Sequence, residues 1–365
     1  MSKFLLILGW IGLVALVTPM LRVMRTESVL GQRELRYHPW YAVAVVVPVI
    51  LMAATRGYIA DTGMYLRGFE DMPKTLSGIP AYMSTVQKDR GFYFLSAVIK
   101  LLVGGNSVLY LFVIAALQCV ILALVYRKYS THYLLSIFLF LASTDYISWM
   151  FNGIRQFTAV VLIFAATKFI LNKQWLPTVL LILLASTMHQ SALLMLLIVL
   201  VVQGRAWNVK TLCFLLAILL SVLYVELFTT LLDAAMQETQ YESMVTDWNE
   251  WGDDGTNEMR VLVYSAPAVL SLLGLRYIRA ANDPLIDLCA NMSIVSMGLY
   301  IISMFTSGIF MGRLPIYASL YNYILLPWQI EHMFNERSAQ ILRMAMIGAY
   351  LLFYYYQMHF VWGFM

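Results

Sequence analysis

Apolar runs long enough to cross a lipid bilayer recur along the whole chain, and they constrain its fold more than any other feature. A transmembrane helix needs roughly 20 consecutive apolar residues. Of the 365 residues, 61% are hydrophobic and 12% are charged, whereas about 25% are charged in soluble domains. The sequence therefore predicts an all-α polytopic membrane protein, with a single integral membrane domain over residues 1–365.

Charge and cysteine content exclude several other classes of protein. The net charge of +4 comes from arginines dispersed among loops rather than from a basic patch, so we expect no nucleic-acid partner. Cys119, Cys213 and Cys289 all lie inside apolar runs and are typical of small buried side chains. No carboxylates have the spacing of metal ligands, so the sequence predicts neither a metal nor a cofactor.

Lysine and arginine in short loops mark the cytoplasmic side of a membrane protein. The first apolar run, 4–20, is followed by Arg22, Arg25, Arg33 and Arg36, which predicts a retained helix with its N-terminus outside. Later basic residues alternate with apolar runs, and the count reaches about twelve transmembrane helices. The segment 232–258 carries eight carboxylates and no Lys or Arg, so we interpret it as an acidic external loop.

The first external loop, predicted over 55–106, contains an apolar stretch that is too short to span the membrane. This stretch, 92–103, carries Lys100 and ends at Gly104-Gly105-Asn106. We therefore predict a juxtamembrane helix lying on the outer surface at 92–103, and a crossing at 107–126.

A histidine in the middle of the apolar segment 175–202 raises a question of topology. Lys173 and Arg205 both belong in the cytoplasm, so an even number of crossings should separate them. Division at His189 gives two helices of about 14 residues, each roughly 21 Å long at 1.5 Å per residue, whereas the hydrocarbon layer is about 30 Å thick. The tip of this short hairpin would line an outward-facing cavity. The alternative is one long tilted helix with His189 as a hydrogen-bonded core residue.

Two arginines lie at predicted external helix ends. Arg155 opens a predicted helix over 154–171, and Arg313 precedes Pro315 at the start of another. Helix N-termini attract anions, and two arginine forks on one side suggest a diphosphate. The structural alternatives are that Arg155 reaches the lipid head groups or pairs with Asp145, and that Arg313 pairs with an acid of loop 232–258.

Five short segments, in this order and spacing, resemble the EpsG family of bacterial exopolysaccharide proteins, which are relatives of the Wzy-type polysaccharide polymerases. The segments are DTGMYLRGF at 61–69, KDRGF at 88–92, IRQFTA at 154–159, MHQSAL at 188–193 and GRLPIY at 312–317. The resemblance covers roughly 55–330. Asp89-Arg90-Gly91 stands where the family more often has Glu-Pro-Gly, so Asp89 receives no role.

The resemblance implies a class C glycosyltransferase-like fold in the bacterial cytoplasmic (inner) membrane, with the active site facing the periplasm or exterior. It also implies a polyprenyl-diphosphate-linked oligosaccharide as substrate and a chain-length-regulating co-polymerase as partner. The reaction would transfer a glycan from lipid diphosphate to a sugar hydroxyl. Two other hypotheses remain, namely a lipid-linked oligosaccharide transporter and a membrane O-acyltransferase with His189 as its base.

The polymerase hypothesis assigns a role to each candidate residue. Asp61 and His189 are the candidate catalytic groups, with a slight preference for Asp61 as the base because neutral His189 can instead orient the diphosphate. The candidate diphosphate ligands are Arg155, Arg313, Arg90 and Arg56. The candidate glycan-binding residues are Tyr65, Gln156 and Tyr317, with Trp248 or Trp251 as further aromatic faces.

Overall fold

The chain is a multi-pass membrane protein built almost entirely of helices. The computed structural model describes residues 2–236, 250 and 252–364. In these residues three helices, at Lys3–Met20, Ser107–Tyr129 and Pro284–Met304, are long and apolar enough to cross a membrane. The number rises to six if each of three bent helix pairs forms one span. The all-α polytopic class is thus confirmed, and the count of about twelve crossings stays a prediction.

The chain divides into two compact units. The first unit comprises Met1–Leu193 with Gln340–Met365, and the second comprises Leu194–Ala339. The single membrane domain over residues 1–365 stays a prediction.

The first unit contains ten helices before residue 193 and most of the last helix of the chain, within the described ranges. They are α1 (Ser2–Val17), α2 (Pro39–Ala54), α3 (Thr62–Glu70), α4 (Ile79–Thr85), α5 (Arg90–Val103), α6 (Ser107–Tyr129), α7 (Tyr133–Ala142), α8 (Ile154–Ala165), α9 (Thr167–Leu171) and α10 (Trp175–Met188). The strands β1 (Met24–Val29) and β2 (Gln32–Tyr37) lie between α1 and α2.

The arginine-rich segment after α1 is a β-hairpin, whereas the sequence predicted only a basic loop. β1 and β2 pair antiparallel around a turn at Leu30 and Gly31, and both turn residues have positive φ, at 50° and 88°. Such a turn matches the twist of a two-stranded hairpin. Arg127 Nη2, in the last turn of α6, lies 2.7 Å from Glu27 Oε2 and attaches the hairpin to that helix.

The helices of 55–106, the predicted first external loop, form an ordered layer over the beginning of α6. The ring of Phe69 on α3 stacks on Tyr110 of α6 with 4.2 Å between centroids. Lys100 of α5 is buried, and its Nζ donates to the carbonyl of Phe69 over 2.9 Å. The predicted short helix at 92–103 is present as the 14-residue α5, and its orientation to the membrane surface stays a prediction.

The apolar segment 175–202 is interrupted at His189, as predicted. Helix α10 ends at Met188, and His189 has an extended backbone with φ −158° and ψ 124°. A 3₁₀ turn, Gln190–Leu194, precedes α11 (Met195–Val201). A single uninterrupted helix is therefore excluded, while the reversal of the chain across this break stays a prediction.

The remaining helices belong to the second unit, apart from most of the last one. They are α11, α12 (Val209–Leu223), α13 (Val225–Met236), α14 (Glu258–Leu273), α15 (Leu275–Ala281), α16 (Pro284–Met304), α17 (Ile316–Ser319), α18 (Asn322–Met333) and α19 (Glu336–Tyr356). Buried Asn291 on α16 organises the loop after α11. Its amide nitrogen donates to the carbonyls of Val202, Gly204 and Arg205 over 3.0 to 3.2 Å.

Thiol labelling tests the predicted sidedness of the first unit. With Cys213 replaced by Ser, we expect a membrane-impermeant maleimide to label Ser77→Cys in intact spheroplasts and Gln32→Cys only after lysis. Both positions are exposed, and the basic hairpin that contains Gln32 should face the cytoplasm. Equal labelling of Gln32→Cys before and after lysis would contradict the orientation.

Candidate active site

An ion pair joins two segments that are distant in sequence. Arg155 lies in the first turn of α8, as predicted, and its Nη1 is 2.8 Å from Asp89 Oδ2. The Asp89 side chain is 3% exposed and the Arg155 side chain is 24% exposed. The counter-ion of Arg155 is thus not Asp145, the acid suggested from the sequence, which is buried and accepts from Trp149 Nε1 over 3.2 Å. Asp89, which the sequence left without a role, is thus the counter-ion of Arg155.

Asp89 itself has an unusual backbone and an unusual environment. It immediately precedes α5 with a φ of 50°, a left-handed conformation that Asp tolerates better than most residues. Burial raises the pKa of its carboxyl, although the charge of Arg155 and the backbone N–H of Gln190 act in the opposite direction. These two neighbours thus offset part of the cost of burying the carboxylate.

Gly91 allows the start of α5 to approach the end of α10 closely. A Cβ at Gly91 would lie 2.1 Å from Thr187 Oγ1 and 2.7 Å from Thr187 Cβ. No side chain fits into this space without movement of α10. The glycine of the KDRGF segment thus sets the distance between Asp89 and the helix break at His189.

His189 and Gln156 share one hydroxyl group. His189 Nδ1 lies 2.7 Å from Ser191 Oγ, and the amide nitrogen of Gln156 donates to the same oxygen over 3.4 Å. Gln156 is buried and follows Arg155 directly on α8. Ser191 therefore connects the helix break to α8, and only its place in the MHQSAL segment could have indicated this role.

Asp61 is held by Asn152, a residue that the sequence analysis did not select. With the Asn152 amide oriented to satisfy both groups, its nitrogen lies 3.1 Å from Asp61 Oδ2 and 3.3 Å from Oδ1. The hydroxyl of Tyr65 donates to the backbone carbonyl of Asn152 over 3.5 Å. Asn152 is the last residue of a π-helical segment, Tyr146–Asn152, just before α8, so Asp61 and Arg155 are linked through three residues of backbone.

Tyr65 lies inside the packed layer of the first external loop. Its ring is 6% exposed and meets Phe92 edge-on, with 6.1 Å between centroids. The Arg155 guanidinium lies 5.9 Å from the centre of the same ring. This geometry makes Tyr65 a wall beside the cation, and its role in glycan binding stays a prediction.

The two other arginines of this loop have different surroundings. Arg56 is buried, where its Nε donates to Thr62 Oγ1 over 2.8 Å and its Nη1 to the carbonyl of Ala53 over 2.6 Å. Burial lowers the pKa of Arg56 to about 10. Arg90 is exposed, with its Nη2 3.3 Å from the carbonyl of Met83. Arg56 therefore fixes the start of α3, whereas Arg90 faces outward.

Arg313 lies in the second unit, and its local structure differs from the prediction. A continuous helix was expected after it, but Arg313 ends a 3₁₀ turn and α17 has only four residues. The carbonyl of Pro315 accepts from both Ala318 N and Ser319 N, whereas Tyr321 N donates to Ala318 O, only three residues back. One tight turn aligns too few peptide dipoles for an anion site, so Arg313 would have to act through its own charge.

Asp253 anchors the loop that leads to Arg313. Its carboxylate accepts hydrogen bonds from Ser307 Oγ over 2.5 Å, from the N–H groups of Gly308 and Ile309 over 2.9 Å, and from Gly255 N over 3.2 Å. Burial alone would raise the pKa of Asp253, but these four donors hold it below its ordinary value. Asp253 was one of eight acids in a loop predicted from charge alone, and nothing in the sequence distinguished it.

A glycine makes this anchor possible. Gly255 has a φ of 89°, and a Cβ there would lie 2.5 Å from the carbonyl oxygen of Met304. The backbone of the acidic loop can therefore lie directly against the end of α16. Helix α13 extends to Met236 and α14 begins at Glu258, and the anchor lies in the described residues 252–257 between them.

The last aromatic candidates lie in the second unit. Tyr317 is only 2% exposed, so its ring is packed inside this unit and its role in glycan binding stays a prediction. Trp248 and Trp251 lie outside the described residues. Within the described ranges, no three His, Cys, Asp or Glu side chains gather in a group that could hold a metal ion.

The motif segments brought together in the first unit agree with a family comparison. The model of the EpsG family matches residues 40–363. The chain belongs to the EpsG family. The EpsG family is a family of Wzy-type polysaccharide polymerases. The chain is therefore a membrane enzyme of polysaccharide biosynthesis. A search of curated proteins and a search of solved structures found no match.

A double-mutant cycle tests the ion pair. We expect Asp89→Asn and Arg155→Ala each to destabilise the protein by about 1–3 kcal/mol, because each leaves a partly buried group without its partner. The double variant should lose less than the sum, with a coupling energy of about 1–3 kcal/mol. Unfolding followed in detergent measures these changes. The control is Asp71→Asn, an exposed carboxylate, whose effect should add to that of Arg155→Ala.

The Asp253 anchor has its own test. We expect Asp253→Asn to lower the free energy of unfolding by about 1–2 kcal/mol through loss of charge-assisted hydrogen bonds, whereas the adjacent exposed Asp254→Asn should have little effect. Because the folded pKa lies below the ordinary value of 3.8, the stabilisation is present above that pH and is lost as the pH falls through the folded pKa. In unfolding measured at pH 7 and at successive pH values below 3.8, the difference between wild type and variant should shrink as the pH falls.

Proposed function

We propose that this EpsG-family protein polymerises polyprenyl-diphosphate-linked oligosaccharide repeat units on the outer face of the bacterial cytoplasmic membrane. One observation carries the proposal: hydrogen bonds to the segment 152–156 gather Asp61 at Asn152, Asp89 at Arg155 and, through Ser191 at Gln156, His189 in the first unit. This network supplies an acid, a cation and an imidazole around the start of α8.

The proposed reaction is a glycosyl transfer that needs no nucleotide. The hydroxyl oxygen of the acceptor sugar forms a bond with the anomeric carbon of the donor glycan. The bond between that carbon and the diphosphate oxygen breaks, and its electron pair leaves with the polyprenyl diphosphate. The acceptor proton passes to a base. Negative charge therefore develops on the leaving diphosphate, where a fixed cation lowers the barrier.

Arg155 is the best-supported cation for this leaving group. Its charge is held by Asp89 at the first turn of a 12-residue helix, where backbone N–H groups and the helix dipole also favour an anion. The side chain is 24% exposed, and its Nε has no hydrogen-bond partner among the described residues. A guanidinium has five donors, so Arg155 can keep Asp89 and still offer donors to a phosphate.

Asp61 is our choice for the base. Its carboxylate is partly exposed and is oriented by the Asn152 amide. Since Asn152 lies three residues before Arg155 on the chain, a substrate bound at the cation would have its reacting hydroxyl in the region of Asp61. A general base of this kind contributes about 10²–10⁴-fold to a rate.

His189 is assigned to orient the diphosphate. Its Nδ1 is bonded to Ser191, which fixes the ring at the break between two helices. Ser191 also receives the amide of Gln156, so the ring and α8 are held in one arrangement. The roles of Arg313, Arg90 and Arg56 as further phosphate ligands stay predictions, as do the class C-like fold and the chain-length-regulating partner.

Purified protein with a synthetic lipid-linked repeat unit tests the proposal. Wild type should produce a ladder of longer glycans. Arg155→Ala should slow chain lengthening by about 10²–10³-fold and Asp61→Asn by about 10²–10⁴-fold, with single repeat units accumulating. Arg155→Lys should recover little, because an ammonium cannot reproduce the planar fork.

Two exposed residues of the same loop provide matched controls. Arg67→Ala and Asp71→Asn remove a cation and an acid outside the network and should leave the ladder unchanged. A normal ladder from both Arg155→Ala and Asp61→Asn would overturn the assignment. Translocation of the lipid-linked unit without lengthening would indicate a transporter, and incorporation of an acyl group would indicate an O-acyltransferase.

A further inference from the structure

A cavity of about 790 Å³ lies within the first unit, away from the network around Arg155. Helices α1, α7 and α19 and the β-hairpin supply its walls. Most of the lining is apolar, with Leu8, Ile11, Leu135, Phe138, Ile347 and Leu351 among its residues. Its volume is within the range of about 300–1,000 Å³ that is typical of small-molecule sites.

Three arginines gather at the turn between α6 and α7, where they line the same cavity. Arg36 Nη1 donates to the carbonyl of Ser130. Arg343 Nη2 lies 3.4 Å from His132 Nε2. Arg127 is in the last turn of α6, three residues before Ser130. An apolar cavity with guanidinium groups at one place has the polarity of an amphiphile with an anionic head.

Acids balance two of these three arginines, but not the third. Arg36 pairs with Glu34, and Arg127 pairs with Glu27. Arg343 has no carboxylate partner within the described ranges, and its Nε is buried without a hydrogen bond. An unneutralised and partly buried guanidinium is costly unless an anion accompanies it.

The cavity is at the opposite end of α6 from the proposed active site. The network around Asp61 lies with α3 and α5 at the beginning of this helix, where Phe69 stacks on Tyr110. Arg127 lies at its end, and 23 residues of helix are about 34 Å long at 1.5 Å per residue. This length matches the bilayer thickness of about 30 Å, so the cavity belongs to the other leaflet.

We propose that this cavity binds one anionic phospholipid of the leaflet opposite the proposed active site. The phosphate contacts Arg343, with Arg36 and Arg127 beside it, and an acyl chain lies along the apolar wall formed by α1, α7 and α19. The apolar walls favour a lipid over free phosphate, because phosphate alone would leave them without a partner. This site is independent of the polymerase activity proposed above.

Native mass spectrometry of the purified protein tests the proposal. After delipidation, the protein is incubated with equal amounts of phosphatidylglycerol and phosphatidylcholine. We expect one retained phosphatidylglycerol per chain and little phosphatidylcholine. Arg343→Gln should reduce the retention of phosphatidylglycerol about tenfold, through loss of a charge-assisted hydrogen bond. Arg337→Gln is the control, since this exposed arginine of α19 is outside the cavity lining.

A second pair of variants tests the apolar part of the cavity. Gly12 of α1 lines the cavity, and a Cβ there would meet nothing within 4 Å, so Gly12→Leu should fill the space and displace the acyl chain. Gly9 is equally open but is not part of the lining, so Gly9→Leu should retain the lipid. Thermal unfolding of each variant without lipid shows whether it is folded.

Several outcomes would overturn the proposal. Equal retention of both lipids by wild type would show that the site does not select an anionic head group. Unchanged retention in Arg343→Gln would show that Arg343 does not bind the head group. Equal loss in Gly9→Leu and Gly12→Leu would show that the lipid does not occupy the cavity. Full displacement of phosphatidylglycerol by millimolar inorganic phosphate would mean that the walls contribute nothing. If Gly12→Leu is unfolded, Arg343→Gln still decides.

Discussion

The ion pair between Arg155 and Asp89 is the interaction on which the arrangement of the site depends. It joins the start of α8 to the start of α5, and Gly91 then brings α5 against the end of α10. At low dielectric an unpaired charge is far more costly than a paired one. Each partner therefore holds the other in place, and the helix break at His189 is held with them.

This arrangement suits the glycosyl transfer from a lipid diphosphate proposed above. Charge that is already fixed in place needs no reorganisation when the diphosphate departs. Asp61 and His189 are each oriented by a neutral neighbour, Asn152 and Ser191 respectively. The Arg155 cation is held by an acid, while the two candidate acid–base groups are held by amide and hydroxyl. Such a division keeps a carboxylate and an imidazole available for proton transfer.

Sequence reasoning found the parts of this site but not their pairing. The distribution of Lys and Arg between loops predicted the break at His189, and local helix signals predicted Arg155 at the start of α8. Both features could be predicted because they depend on residues nearby in the sequence. The counter-ion of Arg155 depends on a contact across 66 residues, and Asp145 was the closer acid in sequence. The β-hairpin was missed because its alternating charges resemble those of a solvated loop, and the one-turn α17 because the pattern around Pro315 also suits a longer helix.

The positive φ of Asp89 limits what can replace it. Most side chains lose roughly 1–2 kcal/mol in this conformation, which glycine, asparagine and aspartate tolerate. A carboxylate is also required opposite the guanidinium, and neither glycine nor asparagine supplies one. Glutamate would keep the charge at the expense of backbone strain, and its extra methylene would move the oxygens. Few single amino-acid substitutions at position 89 therefore preserve both the backbone conformation and the charge. A different residue there should be accompanied by a different turn before α5.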